Sequence, residues 1–184
     1  DHIKLTLTKK GKTASLISDG NSDGRSWLSR LFSGNASAYI DLEIIVPENI
    51  SLRIDDGSGD IEMRDIVQDV QLDDGSGNLS IKYMTGNLNL DDGSGDIHID
   101  TIKGSVDIDD GSGEAVIENV EGDVSIDDGS GDIRITGIIG SVDIIDDGSG
   151  DIHIRTVTED VRIGDSGSGD VILSQVQGTV RREG

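Results

Sequence analysis

The sequence predicts an all-β fold: a single-stranded parallel β-solenoid, of the β-helix or β-roll kind, with about 18 residues per coil. Three observations carry that prediction. The string DDGSG begins at Asp55, Asp73, Asp91, Asp109, Asp127 and Asp146, and an altered copy, DSGSG, begins at Asp165. The interval is 18 residues until Ile145 adds one before the sixth copy and Gly164 adds one before the seventh. Between copies the aliphatic residues keep register, and in the unit that begins at Asp91 they are Ile97, Ile99, Ile102, Val106 and Ile108.

From the N-terminus, residues 2–7 and 13–17 read as two strands around a Lys-Lys-Gly-Lys turn, and residues 38–46 and 50–54 as two more around Pro47, Glu48 and Asn49. Residues 1–54 are expected to form irregular first coils and a capping loop of the same domain, with seven repeat coils over residues 55–184. The loop of residues 18–37 is polar and Gly-rich except for Trp27, Leu28, Leu31 and Phe32, whose spacing places them on one face of a short helix. That face is expected to plug or flank the open end of the solenoid and hide a strand edge. The alternative is a partner-binding or membrane-touching tip.

Within each repeat, alternation with period two over GDIHI and again over GSVDI predicts two short strands rich in β-branched residues. Only six residues separate Ile99 from Val106, so each strand pair closes one coil through two corners. Gly57, Gly59 and their equivalents supply left-handed backbone at the first corner. The second corner carries Gly86, Gly104, Gly122 and Gly140. Asp69 and Asp160 are expected to substitute for the glycine elsewhere, although the strict count sets Gln68 and Glu159 level with it. Five aliphatics per coil release less free energy than ordering eighteen residues costs, so one coil alone is not expected to fold. The expected coil is right-handed, and seven levels at about 4.8 Å give a rod of roughly 34 Å. The charged finish, Arg181, Arg182 and Glu183, is a crude guard on the last edge.

Composition narrows the function. Residues 55–184 carry eight basic and thirty-one acidic residues. Such a surface repels polyphosphate, which argues against nucleic acid, and attracts metal cations or basic peptides. Cysteine is absent, so disulfide and thiol chemistry are unavailable. No apolar run is long enough to span a bilayer, so no transmembrane span is expected. The chain begins at Asp1, as a processed product or a trimmed piece of a longer one would.

Stacking sets a problem for the aspartates. Columns of like charge about 4.8 Å apart repel by about 0.9 kcal/mol per neighbouring pair in water and about 3.5 kcal/mol at an effective dielectric of 20. One relief is local, with the second Asp of each pair accepting N–H bonds from the Gly-Ser-Gly corner that follows. The other is a row of Ca²⁺ ions along the ladder Asp55, Asp56, Asp73, Asp74, Asp91, Asp92, Asp109, Asp110, Asp127, Asp128, Asp146 and Asp147. No other cofactor is expected. The string matches an EF-hand loop only in part, because Ile54 and its equivalents stand where the first acidic ligand belongs and no closing Glu follows. The calcium β-roll signature fails as well, since it runs twice per coil and sets Asp two residues past a Gly, whereas Asp60 directly follows Gly59.

Catalysis has little to build on. His98 and His153 fall at equivalent places three coils apart, roughly 14 Å, so they cannot share a zinc site. The carboxylates are repeated positions rather than one distinct pair. A carbohydrate-active β-helix enzyme would need clustered, non-repeated carboxylates and aromatics on one face, and the chain has four aromatic residues.

The GSGDI repeats, the preceding segment Ile44-Ile45-Val46-Pro47-Glu48-Asn49 and the leading strand pair resemble a bacterial family of unknown function labelled adhesins, or β-strand-repeat proteins, along nearly the whole chain. The resemblance implies export to the bacterial envelope, a β-solenoid, and kinship with toast-rack domains of envelope stress-response proteins. It supplies no catalytic residues. The expected protein is therefore a non-enzymatic, exported adhesin or structural and binding module, in the periplasm, on the cell surface or secreted. Its partner is an envelope protein, a peptide or a glycan, and a Ca²⁺-stabilised rod is the alternative. Its contact surface is either the Trp27–Phe32 loop or the outward row Glu62, Ser80, His98, Val116, Arg134, His153 and Ile172, which varies from coil to coil.

Overall fold

A computed structural model describes the backbone of residues 4–10 and 13–19 and the whole of residues 43–48 and 50–183. Among the described residues there are strands and no helix. β1 (Lys4–Lys10) and β2 (Thr13–Asp19) pair antiparallel as a hairpin, and Thr13 and Ala14 then pair parallel with Ser51 and Leu52. The expected strand over residues 38–46 is not seen in its described part, residues 43–46, which are non-regular.

From Ser51 the chain alternates between two parallel sheets. One contains β3 (Ser51–Asp56), β5 (Val70–Asp74), β7 (Leu88–Asp92), β9 (Val106–Asp110), β11 (Val124–Asp128), β13 (Val142–Asp147), β15 (Val161–Ile163) and β17 (Val180–Arg182). The other contains β4 (Ile61–Arg64), β6 (Leu79–Thr85), β8 (Ile97–Lys103), β10 (Ala115–Glu121), β12 (Ile133–Ile138), β14 (Ile152–Val157) and β16 (Val171–Val176). Each strand is hydrogen-bonded to the one two places along, and residue i pairs with residue i+18 as far as Ile126, as Leu72 does with Leu90 and Leu90 with Ile108, and with residue i+19 from Asp127 on, as Ile152 does with Val171. The predicted solenoid of about seven turns is the observed fold. Ile145 is the extra residue at a bulge, since Ile126 pairs with Ile144 and Asp127 with Asp146.

The alternating aliphatics point inward from both sheets and fill the space between them. Ile97, Ile99, Ile102, Val106 and Ile108 are all buried, and the same five places are filled in the neighbouring coils by Leu, Ile, Val, Met and Ala. Close packing of stacked aliphatics stabilises both the coil interior and its contact with the next coil.

Two features differ from the sequence reading. The inward places in β8 are Ile97, Ile99 and Ile102, a break in alternation made by Thr101 at φ 61°. The same left-handed place is held by Asp65, Tyr83, Asn119, Gly137, Thr156 and Gln175, so each coil bends a third time. At the main corner the altered seventh copy has its first Gly left-handed, Gly167 with φ 50°, whereas in the six DDGSG copies only the second Gly is, as at Gly95 with φ 144°. The first is needed for close approach: a Cβ on Gly93 would lie 2.6 Å from the carbonyl oxygen of Gly75. Corners are bonded coil to coil, with Gly93 N–H donating to Asp74 O at 2.8 Å, and a side chain has no room between them.

Candidate functional site

Consecutive residues of a strand face opposite sides of its sheet, and the Asp-Asp pairs are split by that rule. Asp91, Asp109 and their equivalents stand on the outer side, while Asp74, Asp92, Asp110, Asp128 and Asp147 point inward and are at most 2 % exposed. The inner carboxylates pair in register from coil to coil, forming a column. Asp56 begins it, half-buried, and Ser166 holds its seventh place, where it accepts a bond from Arg182 Nη2 at 2.8 Å.

The local relief expected for the second Asp is present at four levels, the first through the Gly57 N–H, which donates to Asp56 Oδ1 at 3.0 Å. Ser94, Ser112 and Ser130 N–H groups donate to Oδ1 of Asp92, Asp110 and Asp128 at 3.2, 3.0 and 2.9 Å. It is incomplete, because Oδ2 of each is buried without a partner, as are both carboxylate oxygens of Asp74 and Asp147. Burial away from water disfavours the charged form, and the neighbouring aspartates add to it. Asp110 is pushed up to about 7 by desolvation and then by Asp128, and Asp147 to about 6 by desolvation and then by Asp128. Asp74, Asp92 and Asp128 are raised as well, with burial the largest cause in each.

The same split bears on the Ca²⁺ ladder. The two carboxylates of a pair lie on opposite sides of their sheet and do not converge on one ion. Among the described residues no group of three or more carboxylates or imidazoles is placed to hold a metal.

The variable row lies in register along the outer side of the second sheet. Glu62 pairs with Ser80, Ser80 with His98, His98 with Val116, Val116 with Arg134, Arg134 with His153, and His153 with Ile172. Arg134 is tied to Glu114 and, at 2.8 Å, to Asp132, and Arg64 to Glu62. A shallow, open depression beside the row is lined by Asp60, Asn78, Asp96, Ser80 and His98. His98 and His153 are three coils apart, with Val116 and Arg134 between them in register. Trp27, Leu28, Leu31 and Phe32 lie outside the described residues.

Two polar ladders, missed in the sequence, hold the rows in place. Asp60 Oδ1 accepts the N–H of Asn78, Asn78 Oδ1 that of Asp96, and Asp96 Oδ1 that of Glu114, at 2.9, 3.1 and 3.1 Å. Asp69 and Asn87 begin the second, accepting from Asn87 and Ser105 at 2.8 and 3.0 Å. The signal was the recurrence of a short polar residue just before each inward strand. Asp132 belongs to the first ladder, and the N–H of Asp151 holds its carboxylate below the usual range.

Among the described residues no helix is long and apolar enough to cross a membrane. The sequence profile of a family described as Toastrack DUF4097 matches residues 2–182. No curated protein and no solved structure matches the chain.

Proposed function

This chain belongs to the Toastrack DUF4097 family, and from that premise we propose that it is a non-catalytic binding or structural module, exported to the bacterial envelope, where it serves as an adhesin-like rod. The observation that carries the reading is the contrast between places that repeat and places that vary. Inward aliphatics and corner glycines recur at every level, while the outward row runs through Glu, Ser, His, Val, Arg, His and Ile. A repeated scaffold with one varied face is how solenoids present extended contact surfaces. The partner is an envelope protein, a peptide or a glycan. The strong acidity of the repeats favours partners with basic groups.

A non-enzymatic role is supported by the regular spacing of the titratable groups, which distributes them along the rod rather than gathering a nucleophile, a base and an orienting group in one cleft. Binding to envelope extracts should be compared for the wild type, a variant carrying His98→Ser, Arg134→Ser and His153→Ser, and a variant lacking residues 25–32. Loss of one defined partner in the row variant, with the fold intact by circular dichroism, supports the reading. Identical partners for all three variants, or fractionation of the native protein to the cytoplasm, would overturn it.

A further inference from the structure

Five carboxyl groups run through the inside of the stack, and among the described residues none is paired with a Lys or Arg. Asp74, Asp92, Asp110, Asp128 and Asp147 follow one another in register, with strands about 4.8 Å apart. Each keeps at least one oxygen that is buried without a hydrogen-bond partner. The groups around them are acids too: the adjacent Asp91, Asp109, Asp127 and Asp146, then Asp56 and Asp60 near the first level and Asp132 near the last. Among the described residues the opposite sheet turns only apolar side chains inward, such as Ile97, Ile117 and Ile135. Arg182 at the far end is engaged by Ser166.

We propose that this column is a proton-binding site, in which some of the five carboxyls stay neutral at ordinary pH and donate an O–H bond to the free carboxylate oxygen of the next coil. A bound proton relieves the repulsion and satisfies two orphaned oxygens at once, and it needs no cavity. Calcium fits less well, because it takes six to eight oxygens and each level offers one or two that are free.

The consequence is a stack that is firmer in acid. A carboxyl that binds its proton more tightly in the folded chain than in the unfolded one, where the value is about 3.9, takes up protons on folding. That stabilisation is complete below the unfolded value and is lost as pH rises through the folded values, about 6 for Asp147 and about 7 for Asp110.

Thermal unfolding should be followed from about pH 5.5 to about pH 8.5 for the wild type, Asp110→Asn, Asp147→Asn and the outer control Asp109→Asn. Infrared spectra at neutral pH would report the carbonyl band of protonated carboxyls. The wild type should lose roughly 5 °C or more in Tm across that range. Asp110→Asn and Asp147→Asn, which mimic the neutral acid, should raise Tm at the alkaline end and flatten the slope beyond what Asp109→Asn does. The protonated band should be present in the wild type and weaker in both inner variants. A wild-type Tm that is flat or rises with pH would overturn the proposal, as would inner variants with the slope of Asp109→Asn. Absence of the protonated band from the wild type would do so even if no variant folds. Saturable stabilisation by calcium at the alkaline end, reversed by chelator, would assign the column to metal instead.

Discussion

Asp91 and Asp92 are neighbours in the chain and opposites in environment: Asp91 is exposed on the outer side of its sheet, while Asp92 is 1 % exposed and receives the Ser94 N–H at 3.2 Å. The pleat of the strand makes this division at every DDGSG copy through Asp146 and Asp147. One column therefore meets solvent and its counterions, and the other meets the hydrocarbon interior. The same two-letter string has two physical roles, solubility outside and a constrained titratable array inside.

Because the two carboxylates of a pair cannot turn toward one ion, calcium should contribute little beyond screening. Melting temperatures in millimolar calcium and in chelator are expected to agree within about 2 °C near neutral pH. Saturable stabilisation by calcium would contradict this.

Interior aliphatics in the middle of the stack have no room to relax, with neighbours in the coils above and below. Ile117→Ala should cost about 2–5 kcal/mol in denaturant titrations, since Ile117 is fully buried. Val116→Thr, one residue away on the outer side, should change stability by no more than about 0.5 kcal/mol.

Corner glycines should divide sharply. A Cβ on Gly131 would lie 1.6 Å from the carbonyl oxygen of Gly113, so Gly131→Ala must open the stack and should cost about 3 kcal/mol or more. A Cβ on Gly57, at the first copy, meets nothing within 4 Å, and Gly57→Ala should be within about 0.5 kcal/mol of wild type. Chemical denaturation of the two variants side by side checks the contrast.

Thr101 is β-branched and held at φ 61°, a backbone region costly for such a side chain. The next coil has Asn119 there, whose Nδ2 donates to Asp100 at 2.8 Å and helps hold that carboxyl below its usual range. Thr101→Asn should therefore stabilise the protein by about 0.5–1 kcal/mol in denaturant titration, despite losing the Thr101 bond to Asp100.

The coil period, the two strands and the inward aliphatics were legible because each is a repeated chemical constraint that admits few residue types, and the extra residue at Ile145 was legible as a break in that count, though not as a bulge. The third bend was not, since its left-handed place is filled by Asp, Tyr, Thr, Asn, Gly and Gln in different coils. Its trace in the sequence is the three-residue step from Ile99 to Ile102, which breaks strict alternation. The split of the aspartate pairs was implicit in the pleat, yet both columns read alike as letters. The burial of the second Asp appears only when the facing sheet is placed. The hairpin of β1 and β2 was legible as two strands around a turn, while its antiparallel pairing depends on contacts that periodicity does not encode.

The stack itself is tested most directly by distances between spin labels on the outward row, which the absence of native cysteine makes clean. Cysteine pairs at Glu62 and Arg134, four coils apart, and at Glu62 and Ile172, six apart, should give backbone separations of about 19 and about 29 Å, rising by one strand spacing per coil. Separations that fail to grow with coil number, or that group alternate repeats together as antiparallel hairpins would, contradict the account.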